Sequence, residues 1–335
     1  LIPDPDKVVP IPQVMSPEEL IASDPFAVFP LQVQEELQQT LSTAGVIHSE
    51  QVASWLEVMG IEIGTLMIQL LPVAALYARV PISGYHVGAV ALGMPPALPG
   101  LGPGSLYLGS NMEFTGEALS FCVHGEQSAT NNAWLHGETG LQALAINAAP
   151  CGYCRQFLYE ISTATKGFNI LLKVNDHPDD YSYTMKPLTH YLPDAFGPGN
   201  LDITDRLMDT QAHNLTISGG DSVAQVALVG ANASYSPYTN DYTGVGVVNA
   251  GVTYAGRYAE NAAYNPSMSP MESALAFMNM NMAAQAPIAI TEAVLVEAAP
   301  NPTKPSTQDI SQRSAAEVVL SSIAPGVALQ YFEAT

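Results

Sequence analysis

Residues 121–156 read FCVHGEQSATNNAWLHGETGLQALAINAAPCGYCRQ, and this stretch decides the fold. His124 to Leu135 reads as a helix, Ala143 to Asn147 as a short apolar strand, and Cys151 to Ser162 as a second helix. Working outward, Tyr85 to Leu92 and Ser105 to Leu108 read as strands separated by a Pro/Gly-rich turn, and Phe168 to Val174 as a further strand. Strands alternating with helices predict a layered α/β domain with a largely buried sheet.

Upstream, Ser16-Pro17-Glu18-Glu19 is a helix-start signal, a capping Ser followed by Pro and an acidic third residue. Leu31 to Ser42 and Ser49 to Met59 continue in helical style, so residues 1–60 are expected to form a small helical N-terminal segment, with the catalytic domain over 61–178. The segment 179–201 is polar and bears Pro and Gly, and is expected to be a linker. Residues 202–335 echo the middle of the chain. Tyr107-x-Gly109-x-x-x-Glu113 recurs as Tyr254-x-Gly256-x-x-x-Glu260, and Ser128-Ala129 as Ser273-Ala274. Ala148-Ala149-Pro150 recurs as Ala298-Ala299-Pro300, and Ser83-x-Tyr85 has an echo in Ser236-x-Tyr238. Echoes in the same order predict a duplicated domain; chance similarity of two α/β domains is the alternative.

The chemistry-bearing residues are His124, Glu126, Cys151 and Cys154. One imidazole and two thiolates suit Zn²⁺ and leave its fourth tetrahedral position open. Cys151 and Cys154, three apart at the front of a helix, share a face, and the helix N-terminus favours their thiolate forms. Glu126, two residues after His124, points away from it, near the metal without binding it. His-x-Glu followed by Pro-Cys-x-x-Cys is the pattern of zinc deaminases, in which zinc-bound hydroxide attacks the base and the Glu shuttles protons. The alternatives are a structural zinc, which ordinarily has four protein ligands, or a buried His with two core cysteines. Cys122 reads as a small core residue.

Composition narrows the partners. Asp and Glu number 31 against 10 Lys and Arg, a formal net charge of −21. Such a surface repels nucleic acid and anionic membranes, whose binding depends on Lys and Arg. The apolar run Ile63 to Ala78 is interrupted by Gln69 and Pro72, falls short of the roughly 20 residues a membrane helix needs, and reads as a buried core helix. Three cysteines are too few and too clustered for a disulfide framework, and the opening residues lack a charged-then-apolar leader, so a cytoplasmic location is expected.

Together these motifs resemble cytidine deaminases of the longer homodimeric type, in which a degenerate second domain follows the catalytic one. The resemblance runs from about Ile61 onward and includes Ser83-Gly-Tyr-His-Val-Gly-Ala89, Asn111-Met-Glu113-Phe114, Leu192-Pro-Asp-Ala-Phe-Gly-Pro198 and Tyr258-Ala-Glu-Asn-Ala-Ala263. It implies a three-layer α/β/α sandwich with a mixed sheet, duplicated, and one Zn²⁺ per chain. The activity it implies is hydrolytic deamination of cytidine and 2'-deoxycytidine, free pyrimidine nucleosides. Zinc-bound hydroxide would attack C4, with Glu126 as proton shuttle. A zinc deaminase of another pyrimidine nucleoside or base, and an inactive zinc-stabilised scaffold, are the rivals. By resemblance Asn111 and Glu113 bind the ribose hydroxyls, and Tyr85 stands where the family usually has Phe against the base. Gly125 replaces the usual Ala and contributes backbone, and Phe196 reaches the other subunit's site. In the second copy His124 is expected opposite Ser269, Glu126 opposite Met271, Cys151 opposite Asn301 and Cys154 opposite Lys304, so that copy has no metal set. The retained Glu260 and Asn261 are candidates for an interface.

Overall fold

Gly88–Gly93 is a run of Gly, Ala, Val and Leu, and a strand of that composition buries both its faces. The computed structural model describes residues 24–97, 103–175, 177, 180–300 and 310–335. The helix start at Ser16 lies outside them. In chain order the elements begin with α1 (Leu31–Leu41), β1 (Val46–Ile47), α2 (Ser49–Met59), α3 (Ile63–Gln69) and α4 (Leu71–Ala75). The middle of the chain follows as β2 (Gly88–Gly93), β3 (Leu106–Ser110), α5 (Gly125–Leu135), β4 (Leu141–Ile146), α6 (Gly152–Leu158), β5 (Asn169–Lys173), β6 (Tyr183–Pro187) and α7 (Leu188–Tyr191). The second unit contains α8 (Ser222–Asn232), β7 (Thr243–Asn249), β8 (Val252–Arg257), α9 (Pro270–Met280), β9 (Ile290–Ala298), α10 (Arg313–Ile323) and β10 (Leu329–Ala334).

The first sheet is mixed, with strand order β1-β3-β2-β4-β5-β6, antiparallel except between β4 and β5. Alternate residues feed two cores, as the two-residue period of a strand requires. Val90, Leu92, Leu106, Leu108, Ala143 and Ala145 pack with α1 to α4 on one side. Ala89, Ala91, Tyr107, Leu144 and Ile146 pack with Ala129 and Ala133 of α5 on the other. That second core continues into Val245, Val247, Ala293 and Leu295 of the second sheet, so α5 and α9 lie between the two sheets. Val294 and Val296 turn to the far face and pack on α8.

The second sheet, β10-β9-β7-β8, repeats the inner four strands of the first, including the parallel pair. The register also repeats: β2 shifts against β4 between Leu92 and Gly93, and β7 against β9 between Val248 and Asn249. These pairings correct two of the four sequence echoes. Arg79 bridges Met112 as Tyr235 bridges Ala259, which places Thr239, not Ser236, opposite Ser83. Ala145 pairs Val90 as Val294 pairs Gly246, which places Ala298 opposite Ala149 and Pro300 opposite Cys151. The residues expected opposite the cysteines, Asn301 and Lys304, lie outside the described residues. Short Ala- and Ser-bearing matches slide easily, whereas a hydrogen-bond register does not.

Two expectations are corrected. The segment 179–201 is no simple linker: β6 joins the sheet antiparallel to β5, and α7 follows directly. Most of the β6 side chains are exposed, so it lacks the apolar run by which a strand is recognised; main-chain pairing places it, with Tyr183 packed on the core. The apolar stretch from Ile63 forms two helices meeting at Leu70, with Pro72 in the first turn of α4. Among the described residues no single helix is long and apolar enough to cross a membrane.

Candidate metal centre and active site

The centre lies where two helices begin. His124 is the N-cap of α5, and its main-chain N–H donates to Gln127 at 3.2 Å. Cys151 is the N-cap of α6, and its sulfur accepts the Cys154 N–H at 3.4 Å. Both helix starts bring the positive ends of their dipoles to these residues, which favours anionic sulfur there. Arg155 secures the approach to α6, donating to the Pro150 carbonyl at 2.7 Å and the Tyr191 carbonyl at 3.1 Å.

One ligand-type atom from each of His124, Cys151 and Cys154 lies within 4.8 Å of the other two. Cys151 Sγ and His124 Nδ1 are 3.6 Å apart. Zn–S and Zn–N bonds of about 2.3 and 2.0 Å at a tetrahedral angle separate S and N by about 3.5 Å. The donor set thus fits zinc in both chemistry and spacing. Electrostatics point the same way. The Cys151 thiol is held down to about 3, chiefly by its hydrogen bond with Cys154, while burial pushes Cys154 up. Two adjacent thiols oppose each other's ionisation, and a divalent cation between them removes that opposition. The His124 imidazole is shifted up, first by its bond to Cys151. Cys122 is half-buried and outside this group.

Glu126 sits in the first turn of α5 and is 4% exposed. Burial raises its carboxyl to about 6, against smaller lowering contributions that include the His124 charge. A carboxyl with a value near neutrality is suited to taking and returning protons.

The side chains of Asn111 and Glu113 organise the 82–87 loop, whose Val87 packs on Gly125. Asn111 Oδ1 accepts the Val87 N–H at 2.9 Å, and its Nδ2 donates to the Tyr85 carbonyl at 2.8 Å. Glu113 accepts the main-chain N–H groups of Ile82 and Ser83 at 2.9 and 3.0 Å, and the Ser83 hydroxyl as well. Tyr85 is 42% exposed on that loop. Gly125 is buried against Val87: an added Cβ would come within 2.8 Å of Val87 Cγ1. Phe196 is 45% exposed, and its carbonyl accepts from Gln156 of α6.

Sequence reasoning missed several residues around this centre. Tyr153 stacks on His124, with ring centroids 5.2 Å apart and planes 26° from parallel. Asn147 ties the same loop from the other side, accepting from Gly88 N–H and donating to the His86 carbonyl. Tyr153 was visible as the aromatic between the two cysteines; Asn147 carried no signal beyond ending a strand. A cavity of about 660 Å³ adjoins Glu113 and His86 but is not lined by His124, Glu126, Cys151 or Cys154. Arg79, Phe114, Ile288 and Ile323 line it, the last two from the second unit.

The chain matches two family models described as the cytidine and deoxycytidylate deaminase zinc-binding region, over residues 62–168 and 188–312. A cytidine deaminase of Shewanella pealeana is 44% identical over 236 residues, covering 70% of this chain and 74% of its own. One of Photobacterium profundum is 39% identical over 289 residues, covering 86% of this chain and 89% of its own. Among solved structures, a cytidine deaminase from Mycobacterium tuberculosis is 28% identical with a TM-score of 0.31, over 41% of this chain and 99% of its own.

Proposed function

The chain belongs to the cytidine deaminase family, and on that premise we propose that it deaminates cytidine and 2'-deoxycytidine hydrolytically to their uracil counterparts, with one zinc per chain. The observation that carries this reading is the convergence of His124, Cys151 and Cys154 beside a buried Glu126. Zinc, when bound there, supplies the Lewis acidity that brings solvent to nucleophilic strength near neutral pH. Glu126 would take one proton from the solvent that adds at C4 and deliver it to ring N3, then carry the second, from the resulting C4 hydroxyl, to the departing amino group. Water enters, ammonia leaves, and a carbonyl remains at C4.

We assign the ribose hydroxyls to Asn111 and Glu113, the base face to Tyr85, and backbone contact to Gly125. The carboxylate of Glu113 disfavours a phosphate beside it, which supports a free nucleoside over a nucleotide or nucleic acid. A homodimer, with Phe196 entering the partner's site, and a cytoplasmic location complete the reading; the three unpaired cysteines fit that compartment. We place the catalytic domain from 61 onward, extended past 178 to include β6, and the non-catalytic copy at 202–335.

The deciding experiment is zinc analysis alongside ammonia release from cytidine, deoxycytidine, cytosine and deoxycytidine monophosphate. Turnover of the two nucleosides with one zinc per chain is expected. Zinc without turnover would leave a scaffold, and preference for the base or the monophosphate would redirect the substrate.

A further inference from the structure

The second unit reaches back to the helix that carries both cysteines. Glu160 follows α6 by two residues, and its side chain is fully buried. Its carboxylate accepts from the Tyr235 hydroxyl at 2.8 Å, from the Tyr238 hydroxyl, and from the Ala262 N–H at 3.2 Å. Those three donors belong to the second unit. One turn earlier, Gln156 and Asn261 clasp each other. Asn261 Nδ2 donates to the Gln156 carbonyl at 3.0 Å, and Gln156 Nε2 reaches Asn261 Oδ1 at 3.4 Å.

The main chain shows where on the second unit this happens. Glu113 N–H donates to the Arg79 carbonyl, and Glu260 N–H donates to the Tyr235 carbonyl in the same arrangement. Tyr235 and Tyr238 therefore stand where the first unit has Arg79 and Ile82. In the first unit Arg79 lines the large cavity, with Ser322 and Ile323 at the end of α10 facing it. In the second unit the corresponding place receives Glu160 from the first.

We propose that Tyr235, Tyr238 and Asn261 are positioning residues for the metal centre: by gripping Glu160 and Gln156 they hold α6, and with it Cys151 and Cys154, in ligating register. This rests on zinc occupying His124, Cys151 and Cys154 as inferred above. A helix is stiff over so short a span, so fixing its last turn fixes its first. A buried carboxylate whose donors are removed seeks others, and the helix end moves with it. Groups outside the ligand set that orient it ordinarily govern metal retention as well as rate.

The test compares Tyr238→Phe and the double variant Tyr235→Phe with Tyr238→Phe, both of which keep the rings, with Val294→Ala. Val294 is buried in the second sheet against α8, away from α6, and serves as the general-destabilisation control. Zinc transfer to a chromogenic chelator is followed alongside cytidine kinetics and Tm. In the double variant zinc release is expected to quicken roughly tenfold or more. Its kcat should fall while KM stays within about twofold, with Tyr238→Phe intermediate. Release rates and kcat within about twofold of the parent, or quickened no more than by Val294→Ala at an equal loss of Tm, would overturn the proposal. A parent chain that retains zinc but releases no ammonia from cytidine would sink the deaminase reading and leave the release comparison standing.

Discussion

Glu113 and Glu260 occupy equivalent positions in the two units, and each carboxylate clasps the loop that leads into β2 or β7. Glu113 holds Ile82 and Ser83; Glu260 holds Tyr238 and Thr239 through N–H bonds of 2.8 and 3.2 Å and the Thr239 hydroxyl at 2.7 Å. The second unit lacks the imidazole at the position of His124, where Ser269 caps the helix, yet it keeps this carboxylate. Loop architecture is thus a reason for the residue that is independent of substrate. Glu260→Ala orphans buried N–H groups and should lower stability by about 1–3 kcal/mol. Glu113→Ala should raise KM for cytidine by more than it lowers kcat. Urea titration and steady-state kinetics read the two, and an unaffected KM would remove the nucleoside role assigned to Glu113.

Glu126→Gln keeps shape and removes the titrating group. It should retain one zinc and the fold while kcat falls by about 10²- to 10⁴-fold. Normal turnover in the zinc-loaded variant would dismiss Glu126 as the proton shuttle.

Cys151→Ala deletes one of the three proposed ligands at the start of a helix. Zinc measured by mass spectrometry of metals should drop from one per chain to near none, with activity lost in step. Full zinc occupancy in this variant would mean that the metal sits elsewhere.

Gly109 lets α5 lie directly on β3. A Cβ there would meet Ala129 N at 2.2 Å and Ala129 Cα at 2.6 Å, and Gly256 faces Pro270 and Ala274 of α9 just as closely. Main-chain atoms cannot step aside as a flexible side chain does, so Gly109→Ala should destabilise by at least about 1–3 kcal/mol and displace Glu126. Near-parental Tm and kcat would show that the sheet and helix can separate freely.

Asp241 is buried near Glu297, and burial followed by that neighbour's charge raises its carboxyl to about 7. Its ordinary value is 3.8. Between those values the folded state holds a proton that the unfolded state has lost, so this group's contribution to stability falls as pH rises. Asp241→Asn removes that dependence. Relative to the parent it should be neutral near pH 4 and stabilised near pH 8 by on the order of a few kcal/mol. Denaturant midpoints for both chains at the two pH values check this, and a constant difference would show that Asp241 ionises normally.

The sequence by itself determined what depends on near neighbours along the chain. His124, Glu126, Cys151 and Cys154 each lie at or just inside a helix start, so local spacing sufficed to put three donors and an acid on the right ends of α5 and α6. The duplication was legible for the same reason: Gly109 and Gly256 each answer a close helix, and that demand survives when chemistry does not. Tertiary structure alone decided the rest. Strand β6 is mostly exposed, with Tyr183 alone packed on the core, and it is placed by its pairing with β5. The register of the repeat is set by main-chain pairing, which moved Thr239 opposite Ser83. The grip of Tyr235 and Tyr238 on Glu160 joins residues far apart in the chain, and no periodicity or motif encodes a contact whose partners meet only after both units have folded.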